Sequence, residues 1–277
     1  MLKQRVLTAV VLLAIVGLVM ASSSLWPFFV FISVLCACAG WEWWRLTLVK
    51  SPVACLLFGV GLLFAGLFAA HYWISTGFVS TIVITDLAYI CVGCWLILVL
   101  PAIIRGDAKV PSFSWLWTMI APLVLASNWL CLAQLHTRQG PMYVLSLFVV
   151  IWIADIAAYF GGKRFGRHKL APSISPGKTI EGAVCGVVGV VVWILVSAHW
   201  QVSYAAHLVE QWGLIKAIGL ASLLAMVSIV GDLFESLLKR RAGIKDSSNL
   251  LPGHGGVFDR IDAVIAVVPL AFLLTAI

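Results

Sequence analysis

Apolar runs of fifteen to twenty-three residues follow one another along the chain, separated by short polar or basic breaks. A helix needs about 20 mostly apolar residues to cross a bilayer. The runs at 6–21, 25–41, 53–70, 78–100, 113–135, 142–160, 180–198, 214–231 and 263–277 therefore predict nine spanning helices, of which the second and the last are short. No soluble domain, long linker, low-complexity tract or clear internal repeat breaks the pattern. The expected fold class is all-α: a polytopic integral membrane protein with about nine transmembrane helices.

Composition agrees. Apolar residues make up 62% of the 277 positions and charged residues 10%, where soluble proteins carry about 25% charged residues. That leaves too little polar surface to cover a soluble core. A net charge of +7 raises the question of nucleic acid, but no basic face stands apart from the membrane-flanking loops, so none is expected as a partner. The excess reads as topology and anionic ligands. With the amino terminus inside, the inner loops collect 16 of the 18 Lys and Arg residues, and only Arg138 and Lys216 remain outside. This asymmetry sets the orientation and places a polar site on the cytoplasmic side.

Lys3 and Arg5 before an apolar run, with "MASSS" after it, imitate a signal peptide; because a second run follows at once, an uncleaved first span is expected. The seven cysteines lie in or beside apolar runs. "CAC" and "CVGC" have no second ligand pair in a polar loop, so they read as small core residues and indicate no disulfides.

Seven of the eleven carboxylates fall into three inner-side clusters after residue 150: Asp155, Glu181, Asp232, Glu235, Asp246, Asp259 and Asp262. An acidic residue near the bilayer centre costs about 2.5–3.5 kcal/mol on insertion scales. Three span ends bearing that cost on one side point to a shared site. Asp259 and Asp262 are i,i+3 on one helix face, as are Asp232 and Glu235, and Ser236 lies one turn from Asp232. Asp155, Asp232, Asp259 and Asp262 suit Mg²⁺, which takes one or two protein carboxylates and leaves positions for phosphate oxygens and water. Helix-end ion pairing, such as Glu235 with Lys239, is the alternative reading.

The loop "GGKRFGRHKLAPSISPGKTIEG" supplies basic residues. Its "SPGKT" imitates the end of a P-loop, but Pro172 stands where the first glycine belongs and no strand is expected before it. The local chemistry survives as an anion cradle of Ser175, the Gly177 backbone, Lys178 and Thr179 at a helix entrance. Farther on, "KRRAGIKDSSNLLPGHGGVFDRID" packs eight charges and four glycines between two apolar runs. Its "PGHGG" lets backbone approach a ligand closely, and His254 is a candidate phosphate ligand or acid/base. Lys, Arg and Gly beside paired carboxylates are what a metal–triphosphate complex needs.

The stretch "SLLKRRAGIKDSSNLLPGHGGVFDRID" strongly resembles the signature of the phosphatidate cytidylyltransferase (CDP-diacylglycerol synthase) family, and "WIADIAAYFGG" and "FGRHKLAPSISPGKTIEG" agree with it. The amino-terminal half matches mainly in its many spans and "WEWWRL". The resemblance implies that CTP and phosphatidic acid give CDP-diacylglycerol and pyrophosphate with Mg²⁺; a second, monovalent cation such as K⁺ is an admissible addition. It implies a homodimer, multi-pass in the bacterial inner (cytoplasmic) membrane. Residues 1–135 would be amino-terminal transmembrane helices and 136–277 the catalytic transmembrane region. Catalytic roles would fall on Asp232, Asp259, Lys239, Arg240 and His254. Substrate contacts would fall on Ser175, Lys178, Thr179, Ser236, Lys245, Asp246 and Arg260, and metal contacts on Asp155, Asp232, Asp259 and Asp262.

Three other readings compete. A CTP-dependent polyprenol kinase would release CDP instead of pyrophosphate. A CDP-alcohol phosphotransferase would carry a motif this chain lacks. A transporter would use buried carboxylates such as Asp86 as an ion path, but here charge concentrates at one face.

Overall fold

The computed structural model describes residues 2–48, 51–77, 80–108 and 115–275, with side chains from residue 6 onward. Lys50, Lys109 and residues 78–79, 113–114 and 276–277 of the expected spans lie outside the described residues. Ten helices carry the fold: α1 (Leu2–Ala21), α2 (Leu25–Thr47), α3 (Pro52–Thr76), α4 (Thr81–Arg105), α5 (Trp115–Gln139), α6 (Pro141–Phe165), α7 (Ile180–Ser197), α8 (Tyr204–Trp212), α9 (Leu214–Ala242) and α10 (Phe258–Thr275).

Local chemistry sets the ends. Ser24 caps α2 through the Trp26 amide, and α3 starts on Pro52 and stops at left-handed Gly77. A π-helical turn, Trp95–Val99, interrupts α4 just before Pro101, whose ring cannot sit in a regular α-turn. Gly243, at φ 70°, ends α9: Ile244 N–H donates to Lys239 O and Gly243 N–H to Arg240 O, a Schellman pattern.

Among the described residues seven helices, α2 to α7 and α9, are long and apolar enough to cross a membrane. The first and last of the nine expected spans fall in α1 and α10, at the two ends of the described residues. Helix α1 runs over twenty residues, Leu2–Ala21, and Val6–Ala21 is its apolar part among the described side chains. In α10 the expected apolar run begins just after Asp259, Arg260 and Asp262, which lie in the helix's first five residues. Outward side chains are those of lipid-facing helices: Phe64 and Phe68 on α3 and Ile97 and Ile104 on α4 are each more than 60% exposed. The chain is a multi-pass membrane protein.

The chain folds as two compact units. The first comprises Met1–Leu87, Lys109–Ala133 and Leu238–Ile261; the second comprises Ala88–Ala108, Gln134–Leu237 and Asp262–Ile277. In the first, Phe29, Trp73 and Trp129 pack ring against ring at 5.5–6.2 Å, and Trp129 Nε1 donates to Ser33 Oγ at 2.9 Å. Trp43 stacks on Phe258 at 5.2 Å, fixing the start of α10 against α2.

In the second unit, Val150, Ala154, Val190, Ile194, Ala205, Ala221 and Ala225 form a core between α6, α7, α8 and α9. Helices α6 and α7 approach closely because α7 presents glycines: a Cβ on Gly182 would stand 2.8 Å from Ala158 O, and one on Gly186 2.9 Å from Ala154 O. Between these helices the basic loop forms a small hairpin, an addition to the all-α expectation. Strand β1 (Lys169–Ala171) pairs antiparallel with β2 (Ser175–Thr179) in the register Lys169↔Thr179 and Ala171↔Ser175.

Candidate active site

In the first unit the site is built on the junction between the end of α9 and the start of α10. Lys239 occupies the last turn of α9, and its Nζ lies 2.6 Å from Asp259 Oδ1. The other carboxylate oxygen, Oδ2, accepts from Ser247 N at 3.0 Å, Ser247 Oγ at 2.9 Å and Gly256 N at 2.7 Å. The intervening chain is folded tightly: Gly253 and Gly255 take φ of 76° and 82°, and Leu251 bridges Gly255. Positive φ is a conformation that glycine adopts without steric cost.

Among the other expected residues, Asp246, Lys245, Arg240 and Arg260 are exposed. Arg260 is turned back on the loop, donating through Nε and Nη2 to His254 O at 3.2 and 2.9 Å. His254 is half-buried; its Nδ1 is shielded from solvent and has no hydrogen-bond partner among the described residues. A buried nitrogen left open in this way is unusual and awaits a ligand or water.

In the second unit, Lys178 Nζ lies 2.7 Å from Asp232 Oδ2, and Ser236 Oγ donates to Asp232 Oδ1 at 3.4 Å. Ser228 Oγ donates to Asp155 Oδ1 at 3.4 Å. Asp262, half-buried on α10, lies within electrostatic reach of Asp232, Asp155 and Lys178. Hairpin and helix entrance divide the expected anion cradle between them. "SPGKT" is strand β2, Ser175 faces Ala171 in its register, and Thr179 Oγ1 accepts from Gly182 N at 3.1 Å as the cap of α7. Lys178 is the member of that group that meets a carboxylate. The neighbouring Glu181 accepts from the Arg167 and His168 amides and contacts His168 Nδ1, which ties the hairpin's base to α7.

The donor chemistry bears on a metal. Among the described residues no group of three or more His, Cys, Asp or Glu side chains is arranged to hold an ion by itself. Mg²⁺ asks for less, needing only one or two carboxylates with phosphate oxygens and water around them. Asp262, within electrostatic reach of both Asp232 and Asp155, makes with them a set of oxygen donors that fits that requirement. Asp259 is engaged more fully, with Lys239 on Oδ1 and three donors on Oδ2, whereas Asp232 meets Lys178 on Oδ2 and only a 3.4 Å contact from Ser236 on Oδ1.

Comparison with known proteins places this geometry in a family. The model of the cytidylyltransferase family matches residues 3–277. The chain belongs to the cytidylyltransferase family. It is 36% identical to a Pseudomonas aeruginosa protein named phosphatidate cytidylyltransferase, over 97% of this chain and 95% of that one. It is 32% identical to a Haemophilus influenzae protein of the same name, over 97% and 96%. A Brucella suis protein so named is 46% identical over 134 residues, about half of each chain.

This cytidylyltransferase also has site-adjacent residues that the sequence reading did not single out. Glu42 on α2 is fully buried and accepts from Ser247 Oγ, Ser248 Oγ, Val257 N and Phe258 N. A signal was present: Glu42 is a carboxylate directly after the predicted span 25–41, and it lies inside α2.

Proposed function

We propose that this enzyme is a CTP:phosphatidate cytidylyltransferase of the bacterial cytoplasmic membrane, working as a homodimer with its site toward the cytoplasm. The observation that carries the reading is the end-to-end similarity to proteins named phosphatidate cytidylyltransferase. The loop asymmetry of 16 cations against 2 supports the orientation. A phosphate oxygen of phosphatidate attacks the α-phosphorus of CTP. The bond from that phosphorus to the β-phosphate oxygen breaks, pyrophosphate departs, and CDP-diacylglycerol remains. The nucleophile is already anionic, so no Ser or Cys nucleophile is required.

The difficulty is repulsion between two polyanions, and the side chains answer it. Lys239, fixed by Asp259, offers a directed ammonium to the phosphates. Arg240, Lys245 and Arg260 add cations around it, and His254 Nδ1 is open to a phosphate oxygen. Asp246 belongs to the same stretch of chain, while Ser236, Lys178, Ser175 and Thr179 serve the phosphate side with Asp232. Asp232, Asp155 and Asp262 would hold Mg²⁺, which when bound neutralises triphosphate charge and aligns it for in-line displacement. Acyl chains stay in the bilayer while headgroup and nucleotide meet at its surface.

The deciding assay follows labelled CTP and phosphatidate with purified protein in detergent, with and without Mg²⁺. Mg²⁺-dependent CDP-lipid with matching pyrophosphate is expected. CDP release with phosphorylation of an added prenol would point to a lipid kinase instead.

A further inference from the structure

Glu42 is the fully buried carboxylate of the first unit, and its four partners all come from residues 247–258. Oε2 accepts from Phe258 N at 2.6 Å and from Ser247 Oγ at 3.0 Å; Oε1 accepts from Val257 N at 3.0 Å and from Ser248 Oγ. These are partners some 205 to 216 residues away in sequence. The two amides belong to the start of α10, where unsatisfied N–H groups and the helix dipole favour an anion. Space is shaped around the same group. A Cβ on Gly256 would stand 2.5 and 2.6 Å from the two Glu42 oxygens and would overlap Ser247 Oγ.

Ser247 connects this anchor to the reacting cluster. Its hydroxyl lies 3.0 Å from Glu42 Oε2 and 2.9 Å from Asp259 Oδ2. One hydroxyl proton serves one oxygen at a time, so the backbone Ser247 N, at 3.0 Å, is what holds Asp259 when the hydroxyl turns to Glu42. Gly256 N, the remaining donor to Asp259 Oδ2, directly precedes the two amides that Glu42 holds. Asp259 in turn fixes Lys239.

We infer that Glu42 is a positioning residue for cytidylyl transfer: a buried anionic pin that orders residues 247–258 and through them holds Asp259 and Lys239 in their reacting geometry. The inference rests on the proposed function for the assignment of Lys239 and Asp259 to the reaction; the ordering of the loop stands apart from it. Glu42→Gln is the informative substitution, because it keeps size but turns an NH₂ toward one backbone N–H, which is left unsatisfied, while the serine hydroxyl beside it must reverse to accept.

The test uses the full chain in detergent, with hydrogen exchange read over residues 246–261 and steady-state kinetics with CTP and phosphatidate. In Glu42→Gln the loop amides should exchange roughly tenfold or more faster, while α3 and α7 exchange as in the wild type. The kcat should fall at least about tenfold while KM for CTP moves less than about threefold, since every charge in the cluster remains but none is fixed. Glu42→Asp should recover part of both effects.

Unchanged loop exchange would overturn the inference. So would acceleration shared equally by α3 and α7, or a loss confined to KM. If Glu42→Gln does not insert, Ser248→Ala removes one donor to Glu42 without touching Asp259. It should speed exchange at Val257 and Phe258 by about threefold, and no change there would be equally fatal. Wild-type protein that fails to turn over CTP and phosphatidate, but whose loop responds as expected, would refute the proposed reaction and leave the pin intact.

Discussion

Lys239 Nζ and Asp259 Oδ1 meet at 2.6 Å, joining the last turn of α9 to the first turn of α10 across twenty residues of chain. Both side chains are largely shielded, at 16% and 6% exposed. Breaking such a pair by removing one partner costs about 3–5 kcal/mol, because the other charge is left uncompensated. The pair is therefore a joint between two helices as well as a source of charge for the reaction.

Asp259→Asn keeps the shape of the side chain but removes the charge that holds Lys239. Protein that inserts normally should lose cytidylyl transfer by roughly a hundredfold or more, as expected for weakening several charge-assisted hydrogen bonds. Lys239→Met should do similar damage, and the double variant should be little worse than the worse single one, since the two act as a unit. Product formation from labelled CTP checks this. Wild-type turnover in Asp259→Asn, or losses that multiply in the double variant, would dissolve the unit.

The Lys178–Asp232 pair makes a prediction of opposite sign. Lys178 Nζ sits 2.7 Å from Asp232 Oδ2, so its ammonium competes with a cation for that oxygen. Lys178→Met should lower transfer yet tighten Mn²⁺ binding by about threefold or more through removal of like-charge repulsion. Asp232→Asn should weaken Mn²⁺ binding at least about tenfold. Electron paramagnetic resonance titration without substrate reads both. Equal Mn²⁺ affinity in the wild type and both variants would remove the metal from this cluster.

The membrane-spanning character was legible because a bilayer imposes length and apolarity on each helix, and both are properties of contiguous sequence. Among the described residues seven of the nine expected spans are helices long and apolar enough to cross a membrane, and the first and last fall in α1 and α10. Asp155, Asp232 and Asp262 stood out through the cost of placing carboxylates at span ends, and the structure sets Asp262 within electrostatic reach of the other two. Lys178 as the partner of Asp232 was hidden, because the Lys169↔Thr179 register of the hairpin is tertiary information. Glu42 was hidden for the same reason, its partners lying more than 200 residues away.

Gly256 gives a steric test of the loop. A methyl there would overlap Ser247 Oγ and press on both Glu42 oxygens, whereas a Cβ on Gly61 of α3 meets nothing within 4 Å. Gly256→Ala should abolish most activity and destabilise the protein by about 1–3 kcal/mol, the usual range for overpacking. Gly61→Ala should be neutral or slightly stabilising, because alanine is the better helix former by about 1 kcal/mol. Thermal unfolding in detergent separates them. Equal midpoints would show that the loop has slack which the close Glu42–Ser247 packing denies.

Gly186 tests whether helix spacing in the second unit sets the acidic cluster. Its Cβ would stand 2.9 Å from Ala154 O and 3.3 Å from Ala158 Cβ, and Ala154 directly precedes Asp155. Helix α7 begins at Ile180, capped by Thr179 directly after Lys178, so prising α7 from α6 would move Asp155 relative to the Lys178–Asp232 pair. Gly186→Val should cost about 1–3 kcal/mol of stability. It should also weaken Mn²⁺ binding, although no charge is altered. Gly219→Ala on α9, where a Cβ meets nothing within 4 Å, is the matched control and should change neither. A destabilised Gly186→Val protein with wild-type Mn²⁺ affinity would mean that Asp155 lies outside the cation site, leaving Asp232 and Asp262 to hold it.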